Sequence, residues 1–219
     1  MTTSLAFLGG TGDQGRGLAL RFARAGHPVL IGSRSVERAE AAANDLVGAL
    51  PAGADVRGAT NIEAAQAADI AVVAVPWDGH GALLADVAPA LAGKIVIDCV
   101  NPLGFDAQGP FALQVEEGSA AEQAASLLPD STVVAAFHHV SAVLLLDPEV
   151  EQLDTDVLVL GDDKEAVATV QALVDEIPGM RGIYAGRLRN AHQVEALTAN
   201  LIVVNRRYKA HSGLRVTDV

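Results

Sequence analysis

Seven consecutive residues near the start of the chain, Gly9-Gly10-Thr11-Gly12-Asp13-Gln14-Gly15, limit its fold more than any other segment. They follow the apolar run Leu5–Gly9, which reads as a first strand. They lead into an amphipathic pattern over Gly15–Ala25, closed by Gly26. Gly10, Gly12 and Gly15 have the spacing G-x-G-x-x-G. One glycine permits a tight turn, one lets the backbone approach a pyrophosphate, and one lets the helix lie close on its strand. The helix then offers its first N–H groups to the phosphates. A plain glycine-rich turn is the alternative in a chain with 21 glycines in 219 residues. The position between a strand and a helix, with a second strand following at βαβ distance, favours a dinucleotide site.

Val29–Gly32 reads as that second strand, and Val36–Leu50 as a helix stopped by Pro51. A third strand is expected near Asp55–Ala59, then a short helix over Ile62–Ala67. Ile70–Val75, ended by Pro76, is the clearest buried strand. A helix over Gly81–Leu91, a strand Lys94–Asp98, a loop Asn101–Gly118, a helix Ala120–Leu127 and a strand Thr132–Ala136 continue the alternation. The tail reads as a strand Asp156–Leu160, a helix Lys164–Ile177, a short strand near Ile183 and a last helix from Asn190 to Lys209. This order predicts an α/β fold, a Rossmann-type doubly wound, mostly parallel sheet with a small helical C-terminal part. Half the residues are hydrophobic but only 4% aromatic, so the core must be built from Ala, Val, Leu and Ile.

The end of the second strand selects the nucleotide. An NAD site usually carries Asp or Glu there to accept from the ribose 2′-OH. This chain has Ile31-Gly32-Ser33-Arg34-Ser35, with no carboxylate to repel a 2′-phosphate. Ser33 and Thr11 can donate hydroxyl protons, and Arg34 can contact phosphate oxygens with a charged planar group. Arg38 lies one helical turn further and faces the same spot. These residues predict NADP(H); the alternative is that Arg34 and Arg38 pair with Glu37 or Glu40.

A formal charge of −12 disfavours nucleic acid and anionic lipid as partners. The single cysteine, Cys99, excludes an internal disulfide and fits a reducing cytoplasm. The N-terminus has no signal-peptide pattern, and no apolar run is long enough to span a bilayer. A soluble cytoplasmic protein is expected.

Several segments in order along the chain resemble the coenzyme F420-dependent NADP oxidoreductases. They are Leu8–Ala19, Ile31-Gly32-Ser33-Arg34, Val75-Pro76-Trp77, Phe137-His138-His139-Val140-Ser141-Ala142 and Gly161-Asp162-Asp163. The resemblance implies hydride exchange between C5 of a reduced 5-deazaflavin (coenzyme F420, as co-substrate) and C4 of the NADP nicotinamide, in a homodimer. By position it implies that Thr11, Gly12, Asp13, Gln14, Ser33, Arg34 and Arg38 contact the NADP phosphates. Trp77, Val140 and Ala142 would line the nicotinamide and ribose, and Leu214 would be a further cofactor contact. Arg38 replaces a lysine of the archaeal members, and Asn101-Pro102-Leu103-Gly104 differs from their loop, so deazaflavin contacts are not carried over. Residues 1–185 are expected to form the NADP-binding domain with an extended sheet. Residues 186–219 are expected to form a helical segment at the deazaflavin site or the dimer interface.

Hydride transfer between two carriers needs positioning more than side-chain chemistry, so no nucleophile or metal is expected. His138 is the candidate for positioning the deazaflavin; a backbone-satisfied or solvent-facing histidine is the alternative. Trp77 is read either as a packing residue or as a neighbour of the nicotinamide, and Cys99 as a small buried residue. Asp154, Asp156, Asp162 and Asp163 read as solvated surface. Arg206, Arg207, Lys209 and Arg215 form a basic cluster that would guide an anionic cofactor tail or merely complement a helix C-terminus. Two other functions fit the same nucleotide site. One is an NADPH-dependent reductase of another small substrate or flavin, the other a non-catalytic NADP(H)-binding redox sensor.

Overall fold

The computed structural model describes residues Thr2–Val219. The chain begins β1 (Leu5–Leu8), α1 (Asp13–Arg24), β2 (Val29–Ser33), α2 (Val36–Val47), β3 (Val56–Thr60) and α3 (Asn61–Ala67). It continues β4 (Ile70–Val73), α4 (His80–Leu91), β5 (Ile95–Asp98), the strands β6 (Leu103–Asp106) and β7 (Gly109–Ala112), α5 (Ala120–Leu127) and β8 (Thr132–Ala135). It ends α6 (Ala142–Leu146), β9 (Thr155–Gly161), α7 (Lys164–Asp175), β10 (Met180–Gly186) and α8 (Ala191–Tyr208). Eight strands form one sheet in the order β10-β9-β8-β5-β4-β1-β2-β3. All neighbours are parallel except β8 and β9. The chain winds outward from β1 to β3, then returns to β4 on the other side of β1. The strand order therefore reverses between β1 and β4, where α/β sheets open a ligand crevice at their carboxyl edge.

The strands are buried on both faces, as helices on each side demand. In β1, Leu5 and Phe7 pack into one core with Leu18 and Phe22 of α1, while Ala6 and Leu8 pack into the other with Leu84 of α4. Local signals set the helix starts. Ser35 caps α2, Ser119 caps α5 and Asp163 caps α7, and Thr60 with Glu63 closes a capping box on α3.

Four features depart from the sequence reading. The stretch expected as a loop, Asn101–Gly118, contains the antiparallel pair β6–β7. Its turn is made by the Asp106 carboxylate accepting from the N–H groups of Gln108 and Gly109, with Gly109 at φ +122°. The five-residue α6 was not expected, and β10 is a full seven-residue strand. Asp156 is not solvated. Its carboxylate is wholly buried and takes hydrogen bonds from Arg181, Arg215 and the Val216 N–H. Arg181 foremost, with Val216 and Arg215, holds it far below the usual carboxylate range. This cluster straps the C-terminal tail to the start of β9, where the Leu214 carbonyl accepts from the Asp156 N–H and the Leu214 N–H donates to the Thr155 hydroxyl.

Candidate active site: two clefts joined at the glycine turn

The turn between β1 and α1 is built by close contact. A Cβ on Gly10 would lie 2.5 Å from the Phe7 carbonyl oxygen, and one on Gly15 would lie 2.5 Å from Gly10 Cα. Helix and strand therefore touch backbone to backbone. A Cβ on Gly12 would meet nothing within 4 Å, so that face of the turn is open. Gly12 is also the N-cap of α1 and brings no side chain to its free N–H groups. An open glycine before uncapped N–H donors fits a pyrophosphate. Asn61, buried at the start of α3, braces the turn by accepting from the Gly9 N–H at 2.9 Å.

Two clefts meet here, sharing Gly12, Ala74, Val75 and Pro76 in their walls. The larger, about 1010 Å³, runs over the ends of β1, β2 and β4 and contains Thr11, Ser33, Arg34 and Arg38. Neither guanidinium has a carboxylate partner among the described residues, and the carboxylate of Glu37 is taken by Ser35 Oγ. The pairing with Glu37 or Glu40 considered above is therefore not formed. Two exposed, unpaired arginines beside a buried serine hydroxyl suit a phosphate monoester.

The smaller cleft, about 500 Å³, is bounded by Asp13, Gln14, Trp77, His138, Val140 and Ala142 on the Rossmann side. Thr198, Ile202 and Asn205 of α8, with Ser212 of the tail, close it from above. The Asp13 carboxylate pairs with Arg16 at 2.9 Å, so its backbone is what it offers the cleft. Gln14 Nε2 donates to the Phe137 carbonyl at 3.1 Å. Phe137 is buried at φ +64°, a conformation that costs a non-glycine residue about 1 kcal/mol or more. This kink turns the chain at the end of β8 so that the next residue reaches the cleft.

That residue is His138, only 3% exposed; neither ring nitrogen makes a hydrogen bond of normal geometry, and the Val100 backbone lies close enough to favour its charged form. Burial drives its pKa down to about 4, so at neutral pH it is an uncharged ring with one N–H to give and one lone pair to offer. Its carbonyl is pinned by Asn101 Nδ2 at 2.8 Å and Thr198 Oγ1 at 3.0 Å. His139 Nε2 faces the Asp156 carbonyl at 2.8 Å. A buried imidazole without partners in a cleft wall is an unmet demand for hydrogen bonds.

Among the residues singled out from the sequence, Gly10 lies beneath the turn and Leu214 lines neither cleft, although Ser212, two residues earlier, does. Trp77 is half-buried in the cleft wall and also packs against His80. Cys99 is buried, donates its thiol to the Val73 carbonyl at 2.9 Å, and has its pKa pushed up by burial. Arg215 is bound to Asp154 and Asp156, which separates it from the exposed Arg206, Arg207 and Lys209.

Sequence reasoning missed the polar cluster behind the smaller cleft. His80 Nε2 meets Asp98 Oδ2 at 2.7 Å, both side chains being wholly buried. Nearby, Glu195 of α8 accepts from the N–H groups of Ala120 and Ala121 at the start of α5. Burial, against those two bonds, raises Glu195 from the ordinary 4.5 to about 7. The folded state thus holds this proton more tightly than the unfolded chain, so stability must fall as pH rises from about 4.5 to about 7. The full effect is on the order of 3 kcal/mol. Denaturant midpoints between pH 5 and 8 should decline in the parent protein, and Glu195→Gln should flatten that slope. An unchanged slope would mean that Glu195 stays ionised.

The family profile described as "NADP oxidoreductase coenzyme F420-dependent" matches residues 4–102. The F420-dependent NADP reductase of Methanothermobacter thermautotrophicus is 40% identical over all of this chain and 97% of its own length. The F420-dependent NADP reductase of Methanocaldococcus jannaschii is 36% identical over 98% of both chains. Among solved structures, a protein of Arthrobacter sp. FB24 is 30% identical, covering 98% of this chain and 99% of its own, with a TM-score of 0.83.

Proposed function

The chain belongs to the coenzyme F420-dependent NADP oxidoreductase family, and from that membership we propose that it moves hydride reversibly between reduced coenzyme F420 and NADP⁺. The observation that carries this reading is the pair of joined clefts, one with free cations and the other with an unpartnered imidazole. We assign the larger cleft to the adenosine 2′-phosphate end of NADP(H), through Thr11, Ser33, Arg34 and Arg38. The turn at Gly12, Asp13 and Gln14 takes the pyrophosphate by backbone N–H groups. Trp77, Val140 and Ala142 bound the nicotinamide, and His138 offers its ring nitrogens to the deazaflavin.

When both are bound, the two rings supply the redox chemistry, hydride passing from deazaflavin C5 to nicotinamide C4 with release of one proton. The chain's own work is to hold the rings in contact and keep water from between them. The Phe137 kink and the Asn101–Thr198 grip on the His138 carbonyl fix one wall. α8 fixes the other. The exposed ends of Arg206 and Arg207 would then favour an anionic cofactor tail.

We further propose a homodimer in the cytoplasm. Phe105 and Phe111 of the β6–β7 hairpin, and Val203 and Tyr208 of the helix packed beside it, are large exposed apolar groups. Such groups support a partner surface. No helix among the described residues is long and apolar enough to cross a membrane.

Mixing the purified protein with reduced deazaflavin and NADP⁺ should restore the absorbance band of the oxidised deazaflavin as NADPH forms. Reduction of an imine, ketone or flavin by NADPH without any deazaflavin exchange would instead favour the small-substrate reductase. Tight NADPH binding with no transfer to any carrier would leave the sensor.

A further inference from the structure

His80 is the first residue of α4, directly after the short turn Trp77–Gly79. Its ring is wholly buried and touches neither cleft, yet every atom that could carry charge is engaged. Nε2 faces Asp98 Oδ2 at 2.7 Å, and Nδ1 faces Gln123 Oε1 at 2.8 Å. The orientation of the Gln123 amide is set by its Nε2, which faces both oxygens of Glu117 at 3.3 Å. Both imidazole nitrogens therefore face acceptors, and both must bear hydrogen. The second Asp98 oxygen accepts from the Val100 N–H at 3.0 Å, which stops the carboxylate from turning away. Against this ring lies the Trp77 indole, centroid to centroid 5.4 Å and tilted 30°.

Resting on the assignment of the smaller cleft to the nicotinamide, we propose that His80 is a positioning residue for hydride transfer. Clamped as an imidazolium between Asp98 and Gln123, it carries the Trp77 indole on its face and so sets the wall against which the nicotinamide lies. Four elements meet at this one ring: β5 through Asp98, α5 through Gln123, α4 through His80 itself, and the turn through Trp77. A cation under an indole face is held electrostatically as well as by contact, so the wall is firm only while the ring keeps its proton.

The charged groups facing His80 are Asp98 from β5, Glu195 from α8 and, beyond Gln123, Glu117; neutral His138 lies across Asp98. Burial by itself would lower the His80 pKa, but Asp98 and Gln123 outweigh it and hold the value above the ordinary one. Raising the pH removes that proton, and the two acceptors facing the ring delay the loss relative to a free imidazole.

Trp77 is the only tryptophan in the chain, so its emission reports this stack without any turnover. An imidazolium quenches indole emission. Emission of the parent protein should rise on alkaline titration, and the KM for NADP⁺ should rise over the same range. Asp98→Asn should move the emission midpoint down by at least about one pH unit. His80→Phe should abolish the rise and increase the KM for NADP⁺ and the Kd for NADPH by about tenfold, leaving the KM for the deazaflavin in the parent range. Gln123→Leu, on a partly exposed helix, should give a smaller downward shift and serves if Asp98→Asn does not fold. An emission midpoint equal to that of the parent in the folded Asp98 or Gln123 variant would overturn the proposal. So would a His80→Phe protein that binds NADPH as the parent does. Loss of deazaflavin turnover in the parent protein, with these emission shifts intact, would strike the functional assignment instead.

Discussion

Arg34→Ala should weaken NADPH binding at least tenfold and leave NADH binding nearly unchanged. The guanidinium stands at the end of β2, beside the buried Ser33 hydroxyl and in the same cleft as Arg38 and Thr11. It has no carboxylate partner among the described residues, so nothing inside the protein competes with a ligand phosphate. A charge-assisted hydrogen bond contributes about 1.5–3 kcal/mol, and about 1.4 kcal/mol is a factor of ten. Exposure and salt pull the value toward the lower end. Removing Arg34 and Arg38 together should therefore cost about a hundredfold. NADH carries no 2′-phosphate and loses none of this. Titration of both nucleotides against the parent and variant proteins measures it directly. Equal loss for the two would remove the 2′-phosphate assignment.

The second large effect is on stability and comes from a residue outside both clefts. Arg21 of α1 is 4% exposed, and its guanidinium donates to the carbonyls of Leu144, Leu145, Asp147 and Val150. These oxygens end α6 and the loop after it, the segment whose first residues, Ser141 and Ala142, form part of the smaller cleft. Arg21→Met would fill much of the same space but leave several carbonyls buried without donors. Each such group costs about 1–3 kcal/mol, less when the loop can relax toward water. A loss of about 3–5 kcal/mol is expected, lowering the melting temperature on the order of 10 °C in a chain of this size. Thermal unfolding of Arg21→Met and Arg21→Lys checks it, the lysine variant falling between. A methionine variant that melts with the parent would show that the carbonyls find water at no cost.

Much of this fold is written in short-range pattern. Apolar runs at Leu5–Leu8 and Ile70–Val73 marked buried strands, and the helices that start at Val36, Ala120 and Lys164 began where the sequence pattern placed them. Gly10 and Gly15 marked the turn because only glycine tolerates backbone contacts as close as 2.5 Å, while Gly12 leaves the outer face of the turn open. The nucleotide preference we propose is equally local, since Ser33, Arg34 and Arg38 fall within six residues of one another. What escaped were the elements without a full period of their own. The helix α6 has only five residues, and β6 and β7, Leu103-Gly104-Phe105-Asp106 and Gly109-Pro110-Phe111-Ala112, lack the unbroken apolar run that marks β1 and β4.

The chain by itself, then, determined a nucleotide-binding sheet and which nucleotide it takes, because those depend on neighbours in sequence. Only the tertiary structure decided the fate of its buried charges. Asp156 looked like one of several surface acids until Arg181 and Arg215, 25 and 59 residues away, closed on it. His80 and Asp98, 18 residues apart, and Glu195, 75 residues beyond Ala120, likewise meet through packing alone. His138 could have been satisfied by the backbone or exposed to solvent; it is neither, because the Phe137 kink and the grip of α8 enclose it. The energy of a charged or polar group is set by what removes water from it and what replaces that water. Those groups come from other strands and helices, so no local pattern of residues records them.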